Sequence, residues 1–161
     1  MLDKFKPDYE YKTTYDIDFK SWYDKGIRGA IFDIDNTLVA HDAPSNEQAD
    51  KFIEELERIG IKPFLMSNNK EDRVKLFLKD RDIPYIYKAD KPSIKSYDKA
   101  LEMLGLEKNQ VVAVGDQLLT DCMGARNAGI TFLKVGILDK KEPPHIRFKR
   151  GVEKIIELFT K

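Results

Sequence analysis

The chain has 161 residues, 42% of them apolar, and its 28 basic and 28 acidic side chains leave no net charge. That length suits one domain with a core of its own, and a neutral chain has no global field to draw nucleic acid, so nucleic acid is excluded as an expected partner. One cysteine (Cys122) excludes an internal disulfide, two histidines (His41 and His145) are too few for a multi-histidine metal centre, and no apolar run suits a membrane span or a signal peptide, so the expected place is the cytoplasm.

Residues 1–15 mix Lys, Asp and aromatics without a clear period and read as an irregular arm. Residues 16–25 suit a short helix anchored by Ile17, Phe19, Trp22 and Tyr23, with Gly26 as its stop. The expected organisation is therefore an arm and short helix over 1–27, then a main domain over 28–161. That domain begins with an apolar strand at 29–32. Ser45 with Gln48 reads as a capping box for a helix carrying Phe52, Ile53, Leu56 and Ile59, closed by Gly60. A second strand at 61–66 contains Pro63, which counts against a central position. A helix over 71–80 turns Val74, Phe77 and Leu78 inward, and a short strand follows at 84–87. Pro92 suits the first turn of a helix with Ile94, Tyr97, Leu101 and Leu104 on one face, stopped by Gly105. Strand 111–114, helix 119–128, a stop at Gly129 and strand 131–135 complete the series. A loop with Pro143 and Pro144 leads to a last amphipathic helix with Val152, Ile155, Ile156 and Phe159. Strands alternating with helices predict an α/β fold: a three-layer, Rossmann-like parallel sheet with helices on both faces. Ligands in such folds sit at the carboxyl ends of the strands, near a reversal of strand order.

Those ends carry the chemistry-bearing residues. Asp33 and Asp35 follow the first strand, Ser67, Asn68 and Asn69 the second, and Lys91 the third; Gly115 and Asp116 follow the fourth, with Asp121 five residues on. Crowded carboxylates repel, and a hard divalent cation with oxygen ligands, Mg²⁺ above all, relieves them. Lys and Ser then suit a phosphoryl group, and a carboxylate can attack phosphorus to form an aspartyl phosphate. Each signal is ordinary alone. Their strength is four in one order, each at a strand end.

The segments Phe32-Asp33-Ile34-Asp35-Asn36-Thr37-Leu38-Val39, Met66-Ser67-Asn68-Asn69, Lys91-Pro92 and Gly115-Asp116-Gln117-Leu118-Leu119-Thr120-Asp121 resemble the four motifs of the haloacid dehalogenase (HAD) superfamily. The finer wording, with Phe5-Lys6-Pro7-Asp8 in the arm, is similar to the subfamily IIIA phosphatases of the YqeG type, which are related to the mitochondrial phosphatidylglycerophosphate phosphatases. The resemblance implies a Mg²⁺-dependent phosphomonoester hydrolase with Asp33 as nucleophile and Asp35 as general acid and base. It implies Asp33, the Asp35 carbonyl and Asp116 as metal ligands, and Asp121 behind them, holding a metal-bound water or Lys91. Ser67 and Lys91 would act on the phosphoryl group, with Thr37 and Asn68 also near substrate. Cys122 reads as a small buried residue and His41 as a surface loop residue near the entrance.

Rival functions differ in order of motifs. A response-regulator receiver would place its Lys on the last strand, whereas Lys91 precedes the second acid pair. No G-x-G-x-x-G or P-loop is present. A HAD fold used only as a scaffold has the intact Asp33 and Asp35 against it. The 34 positions from Asp33 to Ser67 and the 24 from Ser67 to Lys91 leave no room for a cap domain, so the site is expected to be open. The kinship points to phosphatidylglycerophosphate, with a soluble sugar phosphate or nucleotide as the alternative. The arm and residues 143–150 could meet a lipid surface weakly and peripherally.

Overall fold

The computed structural model describes residues 2–138 and 144–160, with the backbone alone for 144–147. Six short runs become strands: β1 (Tyr9–Tyr11), β2 (Gly29–Phe32), β3 (Lys62–Met66), β4 (Tyr85–Ile86), β5 (Val111–Gly115) and β6 (Thr131–Val135). They form one sheet in the order β1-β6-β5-β2-β3-β4, and every pairing is parallel. Strands β2 and β5 are buried along their whole length, as a sheet covered on both faces requires.

Alternation along the strands divides the core in two. Ala30, Phe32, Leu65, Val112 and Val114 pack with helices α1 (Phe19–Asp24), α2 (Glu47–Ile59) and α3 (Glu71–Leu78). Ile31, Phe64, Met66, Ala113 and Phe132 pack with α4 (Ile94–Leu104) and α5 (Met123–Ala128). This is the three-layer arrangement expected from the alternating elements. Strand β2 feeds β3 and β4 on one side, and the chain then returns to build β5 and β6 on the other. Strand order thus reverses between β2 and β5, and the crevice for a ligand opens there. Only a loop, α2 and β3 separate Asp33 from Ser67, and only α3, β4 and their loops separate Ser67 from Lys91.

Several expectations need correction. The arm is not irregular: Leu2–Phe5 is a 3-10 turn, and β1 adds an edge strand on β6. Asp8 fixes that edge by accepting from Phe132 N at 2.8 Å and pairing with Arg126 at 2.5 Å. Beyond β1, Thr14 donates to the Thr37 carbonyl (2.6 Å) and Tyr15 to the Leu38 carbonyl, so this segment buttresses the loop after β2. Helix α1 starts at Phe19 rather than 16, because Asp18 caps it by accepting from Ser21 N. Asn46, not Ser45, caps α2, accepting from Ala49 N at 2.8 Å; Ser45 Oγ instead donates to Asp50 at 2.5 Å. Helix α3 ends two residues early, at Leu78.

Pro63 is harmless in β3 for a reason of direction. The N–H groups of Leu65 and Ser67 point at β4, to Pro84 O and Ile86 O, and Lys62 N points the other way, to Arg28 O. By alternation Pro63 faces the β4 side before β4 begins, where no ladder bond is lost. Pro92 lies ahead of α4, after a cis Lys91–Pro92 bond, and Ser93 is the cap; Ile94 is exposed. The helix expected from 119 begins instead as a π turn, Leu118–Cys122, and becomes α-helical only at Met123. Pro143 lies outside the described residues, and α6 (Pro144–Thr160) starts immediately after it. Its expected inward residues Ile155 and Phe159 are exposed, whereas Glu153 is buried.

Candidate active site

Strand β2 delivers Asp33 at its end, where Asp33 N still bonds to Val114 O of β5 (3.1 Å). Strand β5 ends in Gly115 and Asp116. A Cβ at Gly115 would stand 2.5 Å from Asp121 Oδ2, so the missing side chain lets Asp121 fold back over the strand end. Carboxylate oxygens of Asp33, Asp116 and Asp121 lie within 4.8 Å of one another. Lys91 comes in from beyond β4. Its Nζ donates to Asp121 Oδ1 (2.7 Å), Met66 O (3.0 Å) and Asp33 Oδ1 (3.2 Å). Asp121 also accepts from Gln117 N at 3.2 Å.

Burial works against the charges on Lys91, Asp33 and Asp116, and the balance differs between them. Burial lowers the Lys91 ammonium, but Asp121 and Asp33 outweigh it and hold the group above the ordinary lysine range. Lys91 therefore stays charged. Burial lifts the Asp33 carboxyl well above the usual range; Lys91 opposes that, and Asp121, Asp116 and Asp35 add to it. Asp116 is pushed up to about 6 by burial, against the pull of Arg150. Arg150, from α6, bonds to the Asp116 carboxylate and donates to its carbonyl at 3.1 Å. Three crowded carboxylates thus face two cations, Lys91 and Arg150. An oxygen-only donor set with negative charge to spare fits a divalent cation.

The other expected site residues have more specific placements. Ser67 is buried and lines the same cleft as Asp33 and Lys91, a cavity of about 160 Å³. Asn68, expected near substrate, has both ends of its amide on the Lys91 main chain: it accepts from Lys91 N (2.8 Å) and donates to Lys91 O (3.3 Å). Thr37, also expected near substrate, is fully buried and donates to Asp116 Oδ1 at 3.4 Å. The Asp35 carboxylate lies outside that group of three. It accepts from Asn69, Arg73 and the Asp42 main chain. His41 is not a plain surface residue, because it lines the cleft with Nδ1 3.9 Å from Asp35. Cys122 is buried, and burial pushes its thiol up to about 12, which removes it as a nucleophile at neutral pH.

With this arrangement in view, the comparisons with known proteins are specific. Residues 40–135 match the haloacid dehalogenase-like hydrolase family, a span with Ser67, Lys91, Asp116 and Asp121 inside it. The probable phosphatase YqeG of Bacillus subtilis (strain 168) is 39% identical over 158 residues, 97% of this chain and 92% of that protein. The chain belongs to the haloacid dehalogenase-like hydrolases. Solved structures agree on the fold. A putative subfamily IIIA HAD hydrolase from Legionella pneumophila superposes with a TM-score of 0.54 at 19% identity, covering 83% of this chain and 82% of that one. The cobalt-bound deoxy-D-mannose-octulosonate 8-phosphate phosphatase of Haemophilus influenzae gives 0.56 at 13% identity, covering 82% and 88%.

Within this HAD frame, sequence reasoning passed over Arg73 and placed Arg150 only in the 143–150 stretch that could meet a lipid surface. Arg73 did leave a signal: it shares the inward face of α3 with Val74 and Phe77 and is itself 9% exposed. A cation on an apolar face asks for a buried partner. Arg150 left none, since its partner Asp116 is 34 residues away in the chain.

Proposed function

We propose that this HAD phosphatase hydrolyses phosphomonoesters in two half-reactions, carrying the phosphoryl group on Asp33. The observation that carries the reading is the contact of Asp33 with Lys91 in the crevice between β2 and β5, with Ser67 lining the same cleft. An Asp33 carboxylate oxygen attacks phosphorus, the ester bond breaks, and Asp35 gives its proton to the leaving oxygen. Asp35 then takes a proton from water as that water attacks phosphorus, which releases phosphate and restores Asp33. Lys91 opposes the charge on the phosphoryl oxygens, and Ser67 offers them a hydroxyl hydrogen. Asp121 acts through Lys91, which it holds at 2.7 Å. Asp33, Asp116 and the Asp35 carbonyl would hold Mg²⁺, which supplies charge neutralisation for the incoming phosphate. Excess chelator is expected to reduce turnover to background, and added Mg²⁺ to restore it. Full turnover in chelator would contradict the metal assignment.

The substrate we propose is a phosphate displayed at a lipid surface, with phosphatidylglycerophosphate as the candidate, reached by a cytoplasmic enzyme in peripheral contact. Two features support this. Among the described residues no inserted domain covers the cleft, so water exclusion falls to the substrate, a partner subunit or a bound surface. Beside the cleft, α6 exposes Phe148, Ile155, Leu158 and Phe159, whose spacing puts them on one helical face, while Lys149 of the same helix lines the cleft. No described helix is long and apolar enough to cross a membrane. The arm is part of the sheet, so α6 is the better place to test contact than an arm deletion. The wild type is expected to show a higher kcat/KM for a lipid phosphate in mixed micelles than for a soluble sugar phosphate or nucleotide. A Leu158→Ser, Phe159→Ser double variant should lose at least about tenfold on the lipid alone, given the apolar area removed. A soluble ester that wins by orders of magnitude, with the double variant unchanged, would point to a soluble substrate.

A further inference from the structure

Arg73 has no part in the sequence motifs, yet it makes the densest contact with Asp35. Its Nη2 and Nε donate to Asp35 Oδ1 at 2.9 and 3.1 Å, and the Asp42 main-chain N–H donates to the same oxygen at 2.8 Å. Oδ2 accepts from Asn69 Nδ2 at 2.9 Å. Asn69 and Asp35 line the cleft and Arg73 does not, so the guanidinium grips the carboxylate from the protein side. The grip comes from a rigid support, since Val74 and Phe77 beside Arg73 are fully buried in the core. The guanidinium is not arranged for its own comfort. Among the described residues its Nη1 is the buried side-chain nitrogen with no hydrogen-bond partner.

We propose that Arg73 is a positioning residue: it fixes the Asp35 carboxylate by Oδ1 and so presents Oδ2 as the oxygen that gives and takes the proton. This rests on the acid–base reading of Asp35 given above. A carboxylate with one oxygen held by three donors cannot rotate about its Cβ–Cγ bond without breaking them. Misplacement by about 1 Å costs on the order of 10²-fold in a proton-transfer step. The rigid guanidinium plane is what matters, because it brings Nε and Nη2 together onto the one oxygen Oδ1, which a single ammonium does not reproduce.

The test compares Arg73→Met and Arg73→Lys with wild type on two soluble esters under saturating Mg²⁺. One is an alkyl phosphate, whose leaving oxygen needs a proton, and the other is a nitrophenyl phosphate, whose leaving group does not. In Arg73→Met, kcat on the alkyl ester is expected to fall by about 10²-fold with KM within about threefold. The fall in kcat/KM, which reports the first half-reaction, should be smaller on the nitrophenyl ester, and phosphoprotein should accumulate there, because water attack still needs Asp35. Arg73→Lys should recover only part of the alkyl rate, and it gives the same readout if Arg73→Met fails to fold. In an Asp35→Asn background, Arg73→Met should cost nothing further, since it acts through Asp35. Equal losses of kcat/KM on both esters, or losses that add to that of Asp35→Asn, would overturn the proposal and leave the phosphatase reading intact. Asp35→Asn as active as wild type would instead overturn the acid–base reading, and this proposal with it.

Discussion

Asp33→Asn is expected to lower turnover by a factor on the order of 10⁴ or more, because an amide oxygen is not a usable nucleophile and the covalent half-reaction has no substitute. The fold should survive the change. Burial and the neighbouring Asp121, Asp116 and Asp35 already make an ionised Asp33 costly, so an uncharged isostere relieves crowding. Lys91 keeps Asp121 at 2.7 Å and the Met66 carbonyl at 3.0 Å, so it is not left as an unpaired buried cation. Activity assay and thermal unfolding on the same sample separate the two effects. An inactive variant that melts with the wild type fits the proposal, and near wild-type turnover contradicts a covalent Asp33.

Asp35→Asn is expected to lose about 10²- to 10⁴-fold, the usual range for removal of a general acid–base group. Its loss should differ in kind from that of Asp33→Asn. The first half-reaction keeps its nucleophile, whereas the second loses the base that activates water. Phosphorylated protein should therefore build up when the ester has a good leaving group. Removal of the carboxylate also leaves Arg73 facing an amide, so a fall in melting temperature is expected here and not in Asp33→Asn. Acid quenching followed by intact-mass measurement reads the accumulated phosphoprotein directly. An Asp35→Asn protein that turns over at the wild-type rate contradicts the assigned role.

The fold was legible wherever its cause is local. Apolar runs such as Val111 to Val114, and helix stops such as Gly60 and Gly105, announce themselves within a few residues. Strand β1 does not. Tyr9 and Glu10 are exposed, Tyr11 is half-buried, and their order comes from β6 and from Asp8, which is held by Phe132 N far along the chain. The π turn at Leu118–Cys122 is likewise tertiary in origin. Cys122 N bonds to Gln117 O, five residues back, while Gln117 N goes to the Asp121 carboxylate and Leu119 N to Glu153 of α6, a partner from the far end of the chain. The cap of α2 falls on Asn46 and not on the expected Ser45 because both side chains cap helices well, and the bond from Ala49 N decides between them.

The same distinction separates the site residues. Asp33, Ser67, Lys91, Asp116 and Asp121 stand just beyond strand ends in sequence, and the parallel sheet brings those ends together. Thr37 and Asn68 have the right chemistry for a phosphate, yet Asp116 and the Lys91 main chain take up their polar atoms first. Residue type alone does not reveal such prior commitments. Arg150 reaches Asp116 from the last helix, a meeting that no local pattern encodes.

The most direct test of the account is to locate the phosphoryl group during turnover. Asp35→Asn protein is mixed with Mg²⁺ and a nitrophenyl phosphate, quenched in acid, and cleaved for peptide mass mapping, with hydride reduction of the acyl phosphate to mark its residue. The account predicts one modified position, Asp33, labelled in a substantial fraction of molecules and unlabelled when chelator replaces Mg²⁺. A label on any other residue, or steady ester hydrolysis with no labelled Asp33 at any time point, would contradict it.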